Sequence, residues 1–311
     1  MTLRIGVDIG GTNLRVGVVD GLSIIHEHRC HADFSGICGT HDPSTAWHMI
    51  VASISEVLNE VLHTFPEVAS IGIGFPGFID PHNGHVAQSP NLPGLLNVDL
   101  AGDLSTKIKR PVVVENDALA AAFGEYRLMK VPLSEGLIYV GLGTGVGGGL
   151  IQAGNPVVGE HGYAMEVGHL ITSPNGRLCG CGNHGCLEQY ASATGISKSY
   201  QELAGAHLTA HEIAELATQG NSHAKQAYEI AAKALAQSLA HILKVVDVKR
   251  VVIGGGVSRA WSLMEEVFDQ QLNTDLIPVL RGRVQIETSS TGDKAGIVGA
   301  ALLSVSEAQV S

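Results

Sequence analysis

One pattern occurs twice in this chain and limits its fold more than any other feature. Leu3 to Gly10 is an apolar run ending in Asp8-Ile-Gly-Gly-Thr-Asn13, and Leu14 to Asp20 resumes an extended pattern. Gly136 to Gly141 is a second such run, followed by Gly143-Thr-Gly-Val-Gly-Gly-Gly149 and a return strand, Leu150 to Gln152. Each reads as a strand, a glycine-rich turn carrying Thr, and another strand. The repetition predicts two related α/β halves whose turns face one phosphate chain. In such a turn, glycines let backbone N–H groups approach phosphate oxygens, a Thr hydroxyl donates to them, and a carboxylate such as Asp8 can hold Mg2+ directly or through water. Read singly, a Gly-Gly turn between strands is also an ordinary hairpin. Neither turn has the Gly-Lys-Ser/Thr ending of a P-loop or the glycine spacing and helix of a dinucleotide fingerprint, which disfavours nicotinamide chemistry.

The second informative stretch runs from Glu160 to Glu188. His169, Cys179, Cys181 and Cys186 offer one imidazole and three thiolates, a set that suits tetrahedral zinc, with Glu166 and Glu188 as flanking carboxylates. Reduced bystander thiols or a disulfide are the alternatives. Cys179 and Cys181 are too close for an easy bridge, and the glycines around them read as turns about an ion. Cys30 and Cys38 lie far from this cluster and are expected to be reduced and without function.

Between these landmarks the chain reads as alternating helices and strands. Pro43 and Ser44 open a helix whose apolar positions, Trp47, Ile50, Val51, Ile54, Val57, Leu58, Val61 and Leu62, keep a helical period to His63. Ala69 to Phe75 is a buried strand leading into Pro76-Gly77, and Ser89 to Gly94 is too rich in Pro for a central strand. Asn91 within it is a candidate amide for a ligand hydroxyl or an ordinary turn residue. Pro111 to Val114 delivers Glu115-Asn116-Asp117 to a strand end before a helix over 118–129, where ligands of open α/β sheets collect. Asp117 there is either a general base with Asn116 orienting the substrate, or a helix N-cap. Thr209 and Glu212 form a capping box, a long amphipathic helix follows from Ala224, and Ile253-Gly-Gly-Gly-Val257 makes a third glycine-rich turn, here from strand to helix. Gly292, Gly296 and Gly299 are spaced to let a terminal helix pack closely.

Composition removes several function classes. With 19 Lys plus Arg against 30 Asp plus Glu, a net charge of -11 repels a phosphate backbone, so nucleic acid is disfavoured as a partner. Met1 runs almost directly into the first strand without a leader pattern, and the long helix is interrupted by Lys233, Gln237, His241 and Lys244. The expectation is a cytoplasmic protein without a membrane span. At 311 residues, two domains are expected.

Taken together, Asp8-Ile-Gly-Gly-Thr-Asn13, Gly141 to Gly149, Glu166-Val-Gly-His169, Cys179-x-Cys181-x4-Cys186-Leu-Glu188 and Ile253 to Val257 resemble the ROK family of sugar kinases over nearly the whole chain. The resemblance implies an α/β, actin-like ATPase (ribonuclease H-like) fold, two α/β domains with a cleft between them closing over a hexose and ATP. The expected division is a small domain, 1–117 completed by 292–311, and a large one, 118–291, carrying the zinc loop. Asp117 would be the base for the sugar 6-hydroxyl, with Gly77, Asn91, Asn116, Glu166, His169 and Glu188 at the sugar. Asp8, Gly10, Gly11, Thr12 and Asn13, with Gly143, Thr144 and Gly145, would serve ATP phosphates and Mg2+, and Gly254, Gly255 and Gly256 the adenosine. The zinc would be structural, since four protein ligands leave no open position.

The segment Glu188 to Ile196 is similar to the sequence after the last cysteine of ROK glucokinases, which favours glucose over N-acetylmannosamine, N-acetylglucosamine or fructose. Met165 departs from the Gly that many members carry before the equivalent of Glu166. ROK relatives also include sugar-responsive transcriptional regulators, but these carry an added DNA-binding region, and only seven residues precede Asp8 here. A homodimer or homotetramer is expected, and polyphosphate is the alternative donor to ATP.

Overall fold

A computed structural model describes residues 2–10, 13–89 and 92–304. The chain opens with β1 (Arg4–Ile9), β2 (Asn13–Asp20) and β3 (Ser23–His31), then α1 (Phe34–Thr40), α2 (Pro43–Thr64) and β4 (Ser70–Phe75). Three short strands, β5 (Phe78–Ile79), β6 (Val86–Gln88) and β7 (Leu96–Val98), form a small sheet ahead of α3 (Leu100–Ile108), β8 (Val112–Asn116) and α4 (Asp117–Leu128). Next come β9 (Leu137–Leu142), β10 (Val146–Gln152) and β11 (Asn155–Pro156), then α5 (Glu188–Ala191), α6 (Ala193–Ala204), α7 (Ala210–Thr218) and α8 (Ser222–Val246). The chain ends with β12 (Arg250–Gly254), α9 (Glu265–Asp275), β13 (Gln285–Thr288) and α10 (Lys294–Leu303).

The repeat seen in the sequence is a repeat of topology. The first large sheet has the order β3-β2-β1-β4-β8 and the second β11-β10-β9-β12-β13, in each case three sequence-consecutive strands extended by two parallel ones. Ile5, Val7 and Ile9 in β1, and Val251, Val252 and Ile253 in β12, are buried, as central parallel strands require.

The first sheet is covered on one face by α2, whose stripe of Trp47, Ile50, Val51, Ile54, Leu58 and Val61 is buried, and whose N-cap is Asp42 before Pro43. Its other face carries α10, drawn in by missing side chains. A Cβ on Gly6 or Gly72 would strike the carbonyls of Ile297 and Ala300, and one on Gly299 that of Ala120 in α4. The close packing expected of Gly296 and Gly299 is therefore present. Gly292 instead takes a left-handed φ of 56° ahead of the helix, with room where a Cβ would lie.

The chain divides into two compact units, 1–132 with 149–164 and 291–311, and 133–148 with 165–290. This corrects the boundary expected at 117/118. Helix α4 belongs to the first unit because it packs on α10, Gly124 against Ala295 and Gly299 against Ala120, and residues 149–164 join it. A second departure follows β12. Gly255 has a φ of 80° and the backbone enters a 3-10 segment, Gly256–Leu263, before α9, where the sequence pattern suggested a turn directly from strand to α-helix. Among the described residues, no helix is long and apolar enough to cross a membrane.

Candidate functional site

In the first unit, Asp8 is the last residue but one of β1, opposite Arg15 in the β1–β2 ladder. The turn is closed by the N–H of Gly10 donating to the carbonyl of Asn13 at 2.9 Å. Gly11 and Thr12 lie outside the described residues, as does Asn91. Burial pushes the Asp8 carboxyl from 3.8 up to about 6, a rise that Arg15 opposes and Asp293 reinforces. Such a carboxylate at a glycine turn fits a cation, whose charge would replace the solvation that burial removes.

Two strands away, β8 presents Asn116 and Asp117. The side chain of Asn116, not Asp117, is the N-cap of α4: its Oδ1 accepts from Leu119 N at 3.0 Å and its Nδ2 donates to Gly77 O at 3.0 Å. The local reading of Asp117 as a cap is thereby corrected. Asp117 is the first helical residue, and its Oδ1 accepts from Ala118 N at 2.9 Å. Gly77 acts here as the carbonyl that locks Asn116, and a Cβ on it would press on the Gln88 carbonyl at 2.8 Å. Neighbouring Glu115, which sequence reasoning passed over, is raised by burial, opposed by the Asn116 N–H donating to it at 2.8 Å.

In the second unit, the glycine turn after β9 is closed by Gly143 N donating to Gly145 O at 2.9 Å. It is tied to the start of α6: Ala193 N donates to Gly143 O at 2.8 Å, and Thr194 Oγ1 to Thr144 O at 3.0 Å. Glu188 accepts from Val146 N at 3.1 Å, and a Cβ on Gly145 would fall against its carboxylate. At the end of β12, a Cβ on Gly254 would meet the Tyr139 ring and one on Gly255 the Leu142 backbone, whereas Gly256 faces open space.

The cysteine segment folds as a tight hairpin with bridges Ile171 to Cys186 and Leu178 to His184. Gly182 and Gly185 take φ of 92° and 79°, and a Cβ on Gly185 would strike the Ser173 carbonyl. This brings His169, Cys179, Cys181 and Cys186 together, their ligand atoms all within 4.8 Å of one another. Cys181 Sγ is 3.6 Å from Cys186 Sγ, and Cys179 Sγ is 3.7 Å from His169 Nδ1. A zinc tetrahedron with bonds of about 2.3 Å to sulfur and 2.0 Å to nitrogen has edges of roughly 3.5 to 3.8 Å, so the donors fit zinc in kind and these two contacts fit it in spacing. Without a cation, burial and the adjoining thiols push Cys186 up to about 12. With Nδ1 toward the thiolates, His169 turns Nε2 to Glu166, 3.9 Å from its Oε2.

Glu166 is the centre of an inverse γ-turn, with φ -68° and ψ 57°, closed by Val167 N donating to Met165 O at 2.6 Å. Burial and then the Glu188 charge push its carboxyl up to about 7. Entry to that turn requires Met165 at a φ of 66°, a region that favours Gly, which gives a physical meaning to the one departure noted in the sequence. The sequence also gave no sign of Arg177. Its guanidinium donates to the carbonyls of Gln189 and Gly195, to Ser199 Oγ and to Glu202, and lies 4.7 Å from the Tyr190 ring centroid, pinning the hairpin to α5 and α6.

Residues 4–307 match the ROK family. The chain belongs to that family. It is 34% identical to the glucokinase of Thermotoga maritima, over 96% of this chain and 95% of that one. It is 35% identical to an N-acetyl-D-glucosamine kinase of Shigella boydii, over 97% and 99% of the two chains. Among solved structures, a ROK family glucokinase from Streptomyces griseus in complex with glucose and AMPPNP superposes with a TM-score of 0.83 at 32% identity, covering 97% of this chain and 99% of that one. The fold is thus the two-domain, actin-like ATPase fold of ROK sugar kinases.

Proposed function

We propose that this protein is an ATP-dependent hexose kinase that phosphorylates the 6-hydroxyl, with glucose as the preferred sugar. The observation that carries the reading is the cluster of His169, Cys179, Cys181 and Cys186. It fixes His169 beside Glu166 and, through the short link to α5, sets Glu188 against the Gly143–Gly145 turn. Two carboxylates and a ring N–H suit a polyhydroxylated ligand, which offers each of them a hydroxyl partner.

Asp117 is the base. It takes the 6-hydroxyl proton as that oxygen attacks the γ-phosphorus in line, and no phosphoenzyme is required. Glu166, His169 and Glu188 orient the other hydroxyls, with Asn91 and Asn116; Asn116 retains one N–H and one lone pair beyond its two protein bonds. Gly10 to Asn13 and Gly143 to Gly145 receive the phosphates, Gly254 to Gly256 the adenosine. Asp8 would hold Mg2+, which when bound offsets phosphate charge. His169, Cys179, Cys181 and Cys186 would hold zinc with no open position, so zinc there would shape the loop and take no part in the chemistry.

The near-equal identity to an N-acetyl-D-glucosamine kinase supports a second reading, in which an acetylated amino sugar is the acceptor. Phosphorylation rates over glucose, mannose, fructose, N-acetylmannosamine and N-acetylglucosamine, each with ATP and with polyphosphate, separate the two. Glucose with ATP should give the highest kcat/KM. Preference for an acetylated sugar would replace the substrate assignment, and no transfer to any hexose would remove the kinase reading. Size-exclusion chromatography tests the accompanying proposal of a homodimer or homotetramer.

A further inference from the structure

Arg15 lies directly across the β1–β2 ladder from Asp8, yet its guanidinium does not settle there. Nη1 is 3.6 Å from Asp8 Oδ2 but 2.6 Å from Oδ1 of Asp293. The other oxygen of Asp293 is 3.7 Å from Arg29 Nη1, and Arg29 is itself held by Glu27 at 2.6 Å, so Asp293 is gripped from two sides. An Asp immediately before a helix ordinarily caps it. Asp293 makes no side-chain cap to α10 and is engaged by the two arginines instead. One turn further on, Gly296 lets the α10 backbone approach Asp8, where a Cβ would lie 3.0 Å from the Asp8 carboxyl carbon. Asp8 and Asp293 thus compete for Arg15 at one end of β1, and Asp293 has the shorter contact.

We propose that Asp293 is a positioning residue that draws Arg15 off Asp8 and so keeps the Asp8 carboxylate available to the metal of a magnesium nucleotide. The proposal rests on the reading above that Asp8 holds Mg2+. Removing the Asp293 charge leaves Asp8 as the nearer carboxylate for Arg15. The guanidinium then occupies the position the metal needs, and Mg2+ must displace it. Asp293 and Arg15 are both partly exposed, so the competition is worth a modest factor, about two- to fivefold in affinity.

The test uses the protein as purified and ADP as probe, with dissociation constants measured calorimetrically with and without Mg2+. Asp293→Asn should weaken binding of magnesium ADP about two- to fivefold and leave metal-free ADP unchanged. Asp293→Glu, which keeps the charge, should bind as the parent does, and melting curves establish that both variants fold. In an Arg15→Met background, Asp293→Asn should have no further effect, because nothing remains to be held off Asp8. Unchanged magnesium ADP binding in Asp293→Asn, equal weakening with and without metal, or persistence of the effect in the Arg15→Met background would each overturn the proposal. A parent protein that gains no ADP affinity from Mg2+ would instead remove the metal role of Asp8, and this inference with it.

Discussion

Replacing Asp8 by Asn should make the protein more stable while abolishing phosphoryl transfer. The Asp8 carboxyl rises from its ordinary 3.8 to about 6, chiefly through burial, with Arg15 opposing and Asp293 adding to the rise. The folded state therefore holds this proton more tightly than the unfolded state. Between about pH 4 and pH 6 the folded protein binds more protons, so stability falls as pH rises through that window. At 1.36 kcal/mol per pH unit of difference, ionised Asp8 costs about 3 kcal/mol at pH 7.5 and almost nothing below pH 4. Asn keeps the shape without the charge, so Asp8→Asn should gain about 2 to 3 kcal/mol at pH 7.5, and its advantage should shrink several-fold at pH 4.5. Urea unfolding of parent and variant at both pH values, without added Mg2+ and without chelator, reads the difference directly. Loss of any metal bound at the cysteine cluster at the lower pH would act on both proteins and cancel in the comparison. A variant no more stable than the parent at pH 7.5, or equally favoured at both pH values, would refute the idea that burial of this carboxylate is a cost the fold carries for its ligand.

Four further outcomes are expected. Metal analysis of purified protein should find about one zinc per chain, with Cys181→Ala losing most of it; active, unchelated protein without zinc would contradict the structural role. Asp117→Asn should lower kcat by several orders of magnitude with a smaller change in sugar KM, measured by a coupled assay, and near-normal kcat would remove Asp117 from the base role. Gly299→Ala places a methyl on the Ala120 carbonyl and should lower stability by about 3 kcal/mol or more, seen as an earlier thermal midpoint, because α10 has to lift from α4. Met165→Gly frees a residue from a φ of 66° and should raise stability by up to about 1 kcal/mol, the relief of left-handed strain being partly offset by glycine's extra chain entropy.

What could be seen in the sequence was what depends on near neighbours. The candidate metal ligands lie within one short segment, so their residue types and spacing carried nearly all the information, and the distances of 3.6 and 3.7 Å add the scale of their approach. The capping box of Thr209 and Glu212 is equally local and is present. The two glycine turns were legible because the topology repeats with the pattern. The confusion between Asn116 and Asp117 as cap was a matter of one residue, since both are good caps, and the Gly77 carbonyl, which locks the Asn116 amide, is 39 positions away. Membership of α4 in the first unit depends on α10, at the far end of the chain, and the Arg177 network on carbonyls whose placement follows only once α5 and α6 are packed.

The places where local rules are broken fall together with the residues assigned to chemistry. Burial lifts Asp8 to about 6 in one unit and Glu166 to about 7 in the other, and each ionised carboxylate lowers stability at neutral pH. Beside Glu166, Met165 holds a backbone conformation that long side chains avoid, and its carbonyl closes the turn that aims the carboxylate. Elsewhere the same chain follows the rules: Asp42 caps α2, Asn221 caps α8, and the central strands are buried and apolar. A sequence that satisfies local preference nearly everywhere and departs from it at two carboxylates and their neighbours is giving up stability where ligands would restore it. Ligand-dependent stabilisation should therefore come separately from the two groups, from magnesium nucleotide through Asp8 and from sugar through Glu166.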